Sequence, residues 1–199
     1  MNKEAITIQA LKNGPMRSSE LVDLGVSRAT LMRLADKGVI EKIGRGLYSL
    51  AGGDFDETQS LIEVCKQSSS GVICLLSALQ YYEMTTELPH EVWLAVEGKS
   101  RKPAIDYPPI RMCRFTGDAY HEGIETIMTP SGKMRIYSPA KTVADCFKYR
   151  NKIGKDVAIS ALKDCREKKL ASINEINHYA KICKVHSVMR PYMEAIANG

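Results

Sequence analysis

Basic residues near the start of the chain occupy positions from which they could bind the phosphates and base edges of nucleic acid. Arg28 and Arg33 share one short segment, Lys42 follows in the next, and Arg45 stands between two glycines. Lysine and arginine displace the counterions that condense on a duplex, and glycine lets the backbone approach a phosphate closely. We therefore predict a DNA-binding surface that comprises Ser27, Arg28, Thr30, Met32, Arg33, Lys42 and Arg45.

Three short helices must position the first part of this surface. Apolar residues at helical spacing predict them over residues 4–11, 18–24 and 28–37. Asn13-Gly14-Pro15 ends the first helix, Gly25 ends the second, and Ser27 can cap the third with its hydroxyl. On the third helix Leu31, Leu34 and Ala35 share an inner face, so its arginines point outward.

A hairpin completes the arrangement. Residues 39–43 and 47–50 predict two strands around the turn Gly44-Arg45-Gly46. Three helices followed by such a hairpin are typical of a winged helix-turn-helix, whose second motif helix enters the major groove while the wing contacts the backbone. Two other interpretations remain open at this point, because arginines often only solvate a helix face and winged helices also bind proteins.

Length and composition limit the possible classes of protein. The chain has 199 residues, 44% of them hydrophobic and 26% charged, with a net charge of +5. These values are typical of a globular protein and argue against a disordered or fibrous one. Residues 71–82 form the longest uncharged apolar stretch, too short to cross a bilayer, and the first residues lack a secretion signal. We expect a cytoplasmic protein that does not bind membranes.

The cysteines and histidines give no pattern of metal or nucleophilic chemistry. The six cysteines include no CxxC pair, and most lie among apolar neighbours, where a thiol behaves as a small core residue. The four histidines are scattered, and none accompanies a GxSxG motif. We predict reduced, buried cysteines, no metal, no cofactor and no enzymatic activity.

The rest of the chain predicts a larger α+β domain. Helical patterns over 57–67 and 75–84 precede strand patterns over 91–97, 110–115, 124–128 and 134–137, and helical patterns over 140–150, 155–169, 173–184 and 188–197 end the chain. Because 51–54 reads as a linker, we predict a winged helix-turn-helix domain over 1–50 and an α+β domain over 55–199, with a central sheet and C-terminal helices.

Two further groups of residues in this larger domain could act chemically. Lys99, Arg101 and Lys102 follow an apolar strand and form a possible second basic patch, although a basic turn after a strand also serves only solubility. Lys141 and Asp145 stand four residues apart at the start of a predicted helix. An ion pair between them is the interpretation that this spacing favours.

Glu97-Gly98-Lys99 suggests an alternative function. It resembles the (D/E)xK half of a restriction-type nuclease motif, in which a carboxylate holds a divalent metal and the lysine steadies the nucleophile. Such a site needs a second acid, for which Glu83 and Glu87 are the candidates. Neither stands in the usual proline-aspartate pair on a strand of its own. A winged-helix–nuclease fusion that cleaves DNA with a divalent metal is therefore only the alternative.

The motifs together resemble those of AbiEi-type antitoxins. The resemblance rests on Gly25-Val26-Ser27-Arg28, on Gly44-Arg45-Gly46-Leu47-Tyr48, on Ser77-Ala78-Leu79 and above all on 138–146, which read Ser-Pro-Ala-Lys-Thr-Val-Ala-Asp-Cys. Similarity continues through Ala158-Ile159-Ser160-Ala161-Leu162 and Arg190-Pro191-Tyr192, so it covers nearly the whole chain.

The resemblance implies a bacterial type IV toxin–antitoxin system of the abortive-infection kind, which defends against phage. In such systems the antitoxin represses its own promoter by binding inverted repeats in double-stranded DNA. It counteracts a nucleotidyltransferase-like toxin without forming a stable complex with it. The family uses its winged helix for DNA and its C-terminal domain for neutralisation.

Overall fold

The structure, a computed structural model, describes residues 2–12, 14–44, 46–52, 57–129 and 132–197. It is a mixed α+β protein, as the sequence predicts. Three helices and a three-stranded sheet come first, and a five-stranded mixed sheet with further helices follows.

The N-terminal part has the helix and strand order of a winged helix-turn-helix. Its elements are α1 (Lys3–Leu11), β1 (Met16–Arg17), α2 (Ser18–Asp23), α3 (Arg28–Asp36), β2 (Ile40–Gly44) and β3 (Leu47–Leu50). The predicted helices and hairpin are confirmed to within two residues. The short strand β1 was not predicted; it pairs antiparallel with β3 and gives the sheet the order β1-β3-β2.

A small core holds these elements together. It combines apolar side chains from all three helices and the sheet: Leu11, Leu21, Val26, Leu31, Leu34, Ile40 and Tyr48. The residues of α3 that point into it are those that the helical pattern predicts. Burying a leucine or isoleucine side chain stabilises a fold by about 1.5–3 kcal/mol, so a core of this size can fix the orientation of α3.

The larger part begins with two helices around a short strand, continues with four longer strands, and ends with a group of five helices. Its elements are α4 (Glu57–Gln67), β4 (Val72–Ile73), α5 (Leu75–Tyr81), β5 (Val92–Glu97), β6 (Ile110–Phe115), α6 (Asp118–His121), β7 (Ile124–Thr129), β8 (Gly132–Tyr137), α7 (Pro139–Lys148), α8 (Arg150–Ile153), α9 (Lys155–Glu167), α10 (Ile173–Ile182) and α11 (His186–Ala197). The sheet order is β6-β5-β4-β8-β7, with parallel and antiparallel neighbours.

Helices cover both faces of this sheet. Side chains of α4 pack with Ile73, Leu94 and Ile136 on one face, whereas α5 and α7 pack with Val72, Ala95 and Tyr137 on the other. Strands with helices on both faces are apolar along most of their length, as β5 is. The six cysteines are all buried and free, which confirms the prediction made for them.

The outer face of the wing is also covered. Leu47 and Ser49 lie on the opposite face of β3 from the core residues Tyr48 and Leu50, yet both are buried. Arg17, paired with Leu47 across the sheet, donates from Nε to the carbonyl oxygen of Lys66 at 2.6 Å, and its Nη2 donates to the same oxygen. Arg17 therefore joins the sheet of the N-terminal part to the C-terminal end of α4 in the larger part. The predicted linker at 51–54 falls partly outside the described residues.

Candidate nucleic-acid interface

Helix α3 starts at a well-formed cap. The Ser27 hydroxyl accepts a hydrogen bond from the backbone N–H of Thr30 at 3.1 Å, and the hydroxyls of Ser27 and Thr30 are 2.9 Å apart. The sequence prediction of this cap is therefore confirmed. Because both hydroxyls are engaged with each other, their first effect is to fix the helix end from which Arg28 projects.

The remaining surface of α3 is open. Leu31 and Leu34 are fully buried, while Arg28, Met32 and Arg33 are exposed, Met32 to 63%. In a helix these exposed positions share one half of the circumference, with the two arginines near its opposite borders. A thioether flanked by two guanidinium groups offers an apolar contact and bidentate donors, and guanine and thymine present complementary groups in the major groove.

Lys42 extends this surface onto the wing. It is exposed and pairs in register with Tyr48, on the face of the sheet that also carries Ile40 and Leu50 and packs against the helices. Its ammonium group therefore emerges on the same side as α3, where it can contact a phosphate. Arg45 lies outside the described residues, so its part in the surface stays a prediction.

One comparison with known proteins concerns this region. Residues 6–51 match the family model described as "Transcriptional regulator, AbiEi antitoxin". The N-terminal part is therefore similar to an AbiEi antitoxin domain. The match includes every residue of the predicted DNA-binding surface, and it supports the resemblance for the two motifs that begin at Gly25 and Gly44. A comparison with curated proteins returned no match.

The possible second basic patch lies far along the chain from the N-terminal part. Lys99, Arg101 and Lys102 are exposed in the loop that follows β5. Arg114 of the neighbouring strand donates from Nη1 to the carbonyl oxygens of Gly98 at 2.6 Å and Ser100 at 2.8 Å. The loop is thus anchored at its start, and its cations stay available to an anionic partner.

The acids of the nuclease alternative are engaged elsewhere. The Glu97 carboxylate is 3.1 Å from Nε2 of His121, and Glu83 forms an ion pair with Lys168 at 3.2 Å. Glu87 is exposed. Within the described residues, no group of three or more His, Cys, Asp or Glu side chains could hold a metal ion. The geometry therefore offers this alternative no specific support.

The motif that starts at Ser138 forms the centre of the larger part. Ser138 caps α7, Pro139 occupies its first turn, and both Lys141 and Asp145 are completely buried. The ammonium group of Lys141 contacts the two carboxylate oxygens at 2.7 and 2.6 Å, and the Cys183 thiol donates to one of them at 3.2 Å. The predicted ion pair is confirmed, and its surroundings show that it organises the core.

Aromatic rings complete the environment of this pair. The ammonium nitrogen lies 4.1 Å from the ring centroid of Tyr137 and 4.9 Å from that of Phe115. Burial raises the pKa of Asp145 above its ordinary value, and the Lys141 charge opposes that rise. Such contacts compensate a cation that has been removed from water.

Sequence reasoning missed the residues that join the two parts. The sequence analysis does not single out Arg17, Lys66, Lys133 or Arg135, although the structure places all four around one cleft. The alternation of Lys133 and Arg135 along a strand was an available signal, because residues two apart share a face. The contact between Arg17 and Lys66 spans 49 positions and carries no local signal.

No helix in the described part of the chain is long and apolar enough to span a membrane.

Proposed function

We propose that the protein is a DNA-binding transcriptional repressor of its own promoter. The observation that carries this proposal is the exposed half of α3, with Arg28, Met32 and Arg33 supported by a capped N-terminus and a packed inner face. The family of residues 6–51 supports the same conclusion, since it consists of transcriptional regulators. DNA binding would place the protein in the cytoplasm.

The binding mode follows from the geometry of a winged helix. Helix α3 enters the major groove, where one arginine reads a base edge and the other contacts phosphate. Lys42 and Arg45 of the wing contact the adjacent backbone. Two copies of the chain occupy the two halves of an inverted repeat, because the symmetry of the site mirrors that of the bound pair.

The proposal extends to an antitoxin function. Residues 55–199 counteract a nucleotidyltransferase-like toxin of an abortive-infection system, without a stable complex between the two proteins. The support is the AbiEi match together with the motif over 138–146, which forms the buried centre of the larger part.

Titration of labelled promoter DNA across a range of salt concentrations tests the first proposal. The logarithm of the affinity should fall linearly with the logarithm of salt concentration, and Lys42→Ala should reduce the slope by about one unit. Arg33→Ala should instead lower affinity by about 1–3 kcal/mol at one base position. Lys163→Ala, an exposed lysine on α9, is the matched control. Affinity that does not depend on salt would refute DNA binding by this surface.

Co-expression with the neighbouring toxin gene tests the second proposal. The intact chain should restore growth, and a variant with Arg28 and Arg33 both replaced by alanine should still do so, because neutralisation is assigned to the larger part. Failure of the intact chain to rescue growth, at a confirmed level of folded protein, would refute the antitoxin function.

A further inference from the structure

A cleft lies at the junction between the two parts of the chain. Its volume is about 640 Å³. Ala10, Gly14, Met16, Arg17, Glu20 and Leu24 form one wall, and α4 and β8 supply the other. Small-molecule sites commonly have volumes of about 300–1,000 Å³ and often lie between domains, so size and position both suit a ligand.

The charge of the lining is strongly positive. Arg17, Lys66, Lys133 and Arg135 line the cleft together with a single carboxylate, that of Glu20. Burial lowers the pKa of Lys66, and the carboxylates of Glu20 and Glu63 oppose that shift. Cations that are brought together away from water repel each other, and an anion placed between them would relieve that repulsion.

The two guanidinium groups retain donors for such an anion. Arg17 uses Nε and Nη2 on the Lys66 carbonyl, and Arg135 uses Nη1 on the carbonyl oxygen of Ser69 at 3.1 Å. Each contact holds its guanidinium in place while other N–H groups stay unused within the described part of the chain. Fixed guanidinium groups are the side chains best suited to phosphate oxygens, because their planar donors match them in pairs.

The lining also has an apolar side. Met16 and Leu24 bring a thioether and an aliphatic chain to the wall opposite Lys66, Lys133 and Arg135. An inorganic ion would leave this surface unused, whereas a molecule with a phosphate group at one end and a flat ring at the other would contact both. A duplex could lie only across the mouth of a concavity of this volume.

We propose that the cleft between the N-terminal part and the larger part binds a phosphorylated small molecule of nucleotide size. Its phosphates contact Arg17, Lys133 and Arg135, and its ring lies against Met16 and Leu24. The ligand thus contacts both parts of the chain, and β1, which carries Arg17, is paired with the wing. Occupancy therefore changes the affinity for DNA, a consequence that rests on the proposed repressor function.

Calorimetric titration of the full-length protein without DNA tests the site itself. ADP, pyrophosphate and adenosine are the probes. ADP should bind most tightly, pyrophosphate more weakly, and adenosine least, because only ADP offers both phosphates and a ring. Lys133→Gln and Arg135→Gln should each raise the Kd for ADP about tenfold. Lys163→Gln should change it less than about twofold, since that lysine is exposed outside the cleft.

The outcomes separate this proposal from the repressor function. Binding of ADP that depends on Lys133 supports the site even if promoter DNA does not bind, and Lys133 is exposed, so its replacement leaves the fold intact. No binding of ADP or pyrophosphate at millimolar concentration would overturn the proposal. Unchanged ADP affinity in both cleft variants would overturn it too. Weaker DNA binding in those variants, without any binding of ADP, would assign these cations to DNA instead.

Discussion

Among the described residues, the carboxylates of Asp145 and Glu63 are completely buried, and their hydrogen bonding differs. Asp145 on α7 accepts both hydrogen bonds that Lys141 offers and one from the Cys183 thiol. Glu63 on α4 lies beneath the wing, and neither of its carboxylate oxygens has a hydrogen-bond partner among the described residues. The first lies in the core of one part of the chain, and the second lies where two parts meet.

The difference teaches how burial alone and burial with a partner act on the same chemical group. At Glu63, burial and the nearby charge of Glu41 raise the pKa to about 7, and Lys66 opposes the shift. A charge there costs free energy at neutral pH, whereas the charge of Asp145 is balanced by the ammonium group that it holds. We infer that the buried ion pair on α7 stabilises the fold, whereas the contact between α4 and the wing contributes less to stability.

The largest expected effect comes from breaking the pair on α7. Asp145→Asn leaves the Lys141 ammonium buried without a carboxylate, so the free energy of unfolding should fall by about 3–5 kcal/mol. Urea denaturation measures it. The double variant Lys141→Met with Asp145→Leu is the control, because it removes both charges and retains apolar volume; it should be close to the original protein. Equal losses in the single and double variants would show that packing, not charge, dominates this site.

The second expected effect is a gain in the free energy of unfolding rather than a loss. Glu63→Gln removes a carboxyl whose pKa rises from 4.5 to about 7 on folding. A raised carboxyl pKa means that the native state binds more protons than the unfolded one between these values, so the original protein loses stability as pH rises from about 4.5 to 7. Above pH 7 the variant should be more stable by up to about 3 kcal/mol.

Denaturation of both proteins at several pH values between 4 and 8.5 checks this expectation. Their stabilities should converge at the acidic end, where Glu63 is protonated in both states. Glu41→Gln is a further control, since it removes only the neighbouring charge and should lower the pKa of Glu63 part of the way. A stability difference that does not vary with pH would contradict the assignment.

The junction itself gives the third effect. Arg17→Ala removes the hydrogen bonds that the Lys66 carbonyl oxygen accepts at the C-terminal end of α4. The free energy of unfolding should fall by about 2 kcal/mol. Arg17→Lys keeps the charge with fewer donors, so it should lose about half as much. Chemical denaturation and proteolysis within 51–56 both report the loosened junction. Unaltered cleavage in Arg17→Ala would mean that other contacts hold the two parts together.

Local patterns were sufficient to predict most of the longer elements and the faces of the recognition helix, but they missed β1, β4 and α6 and merged α7 with α8. The exposed and buried faces of α3, the Ser27 cap and the pair on α7 all depend on residues within four positions of each other. Strand β1 has only two residues, too few for an alternating pattern to show. Its position, and the burial of Leu47 and Ser49, depend on contacts with distant segments.

In the candidate site, too, sequence patterns predict what depends on nearby residues and miss what depends on distant ones. The sequence named Arg28, Met32 and Arg33, and the structure exposes all three, because their orientation follows from helical periodicity alone. The basic cleft brings together Arg17, Lys66 and Arg135 from three separate segments. Glu63 reads as one polar residue of an amphipathic helix. Its burial and its proximity to Glu41 of β2 arise from contacts between distant segments, so no local pattern could identify it.

The smallest expected effect compares two helix caps of the same kind. Ser27 caps α3 and Ser172 caps α10, each through a hydroxyl that accepts a backbone N–H three residues later, at 3.1 and 3.2 Å. Replacement of either by alanine should cost about 1 kcal/mol of stability. Ser27→Ala should also weaken binding to promoter DNA several-fold, because it loosens the turn that carries Arg28. Ser172→Ala should leave DNA binding unchanged. If both variants weakened DNA binding equally, the loss would reflect general destabilisation, and α3 would have no special place in recognition.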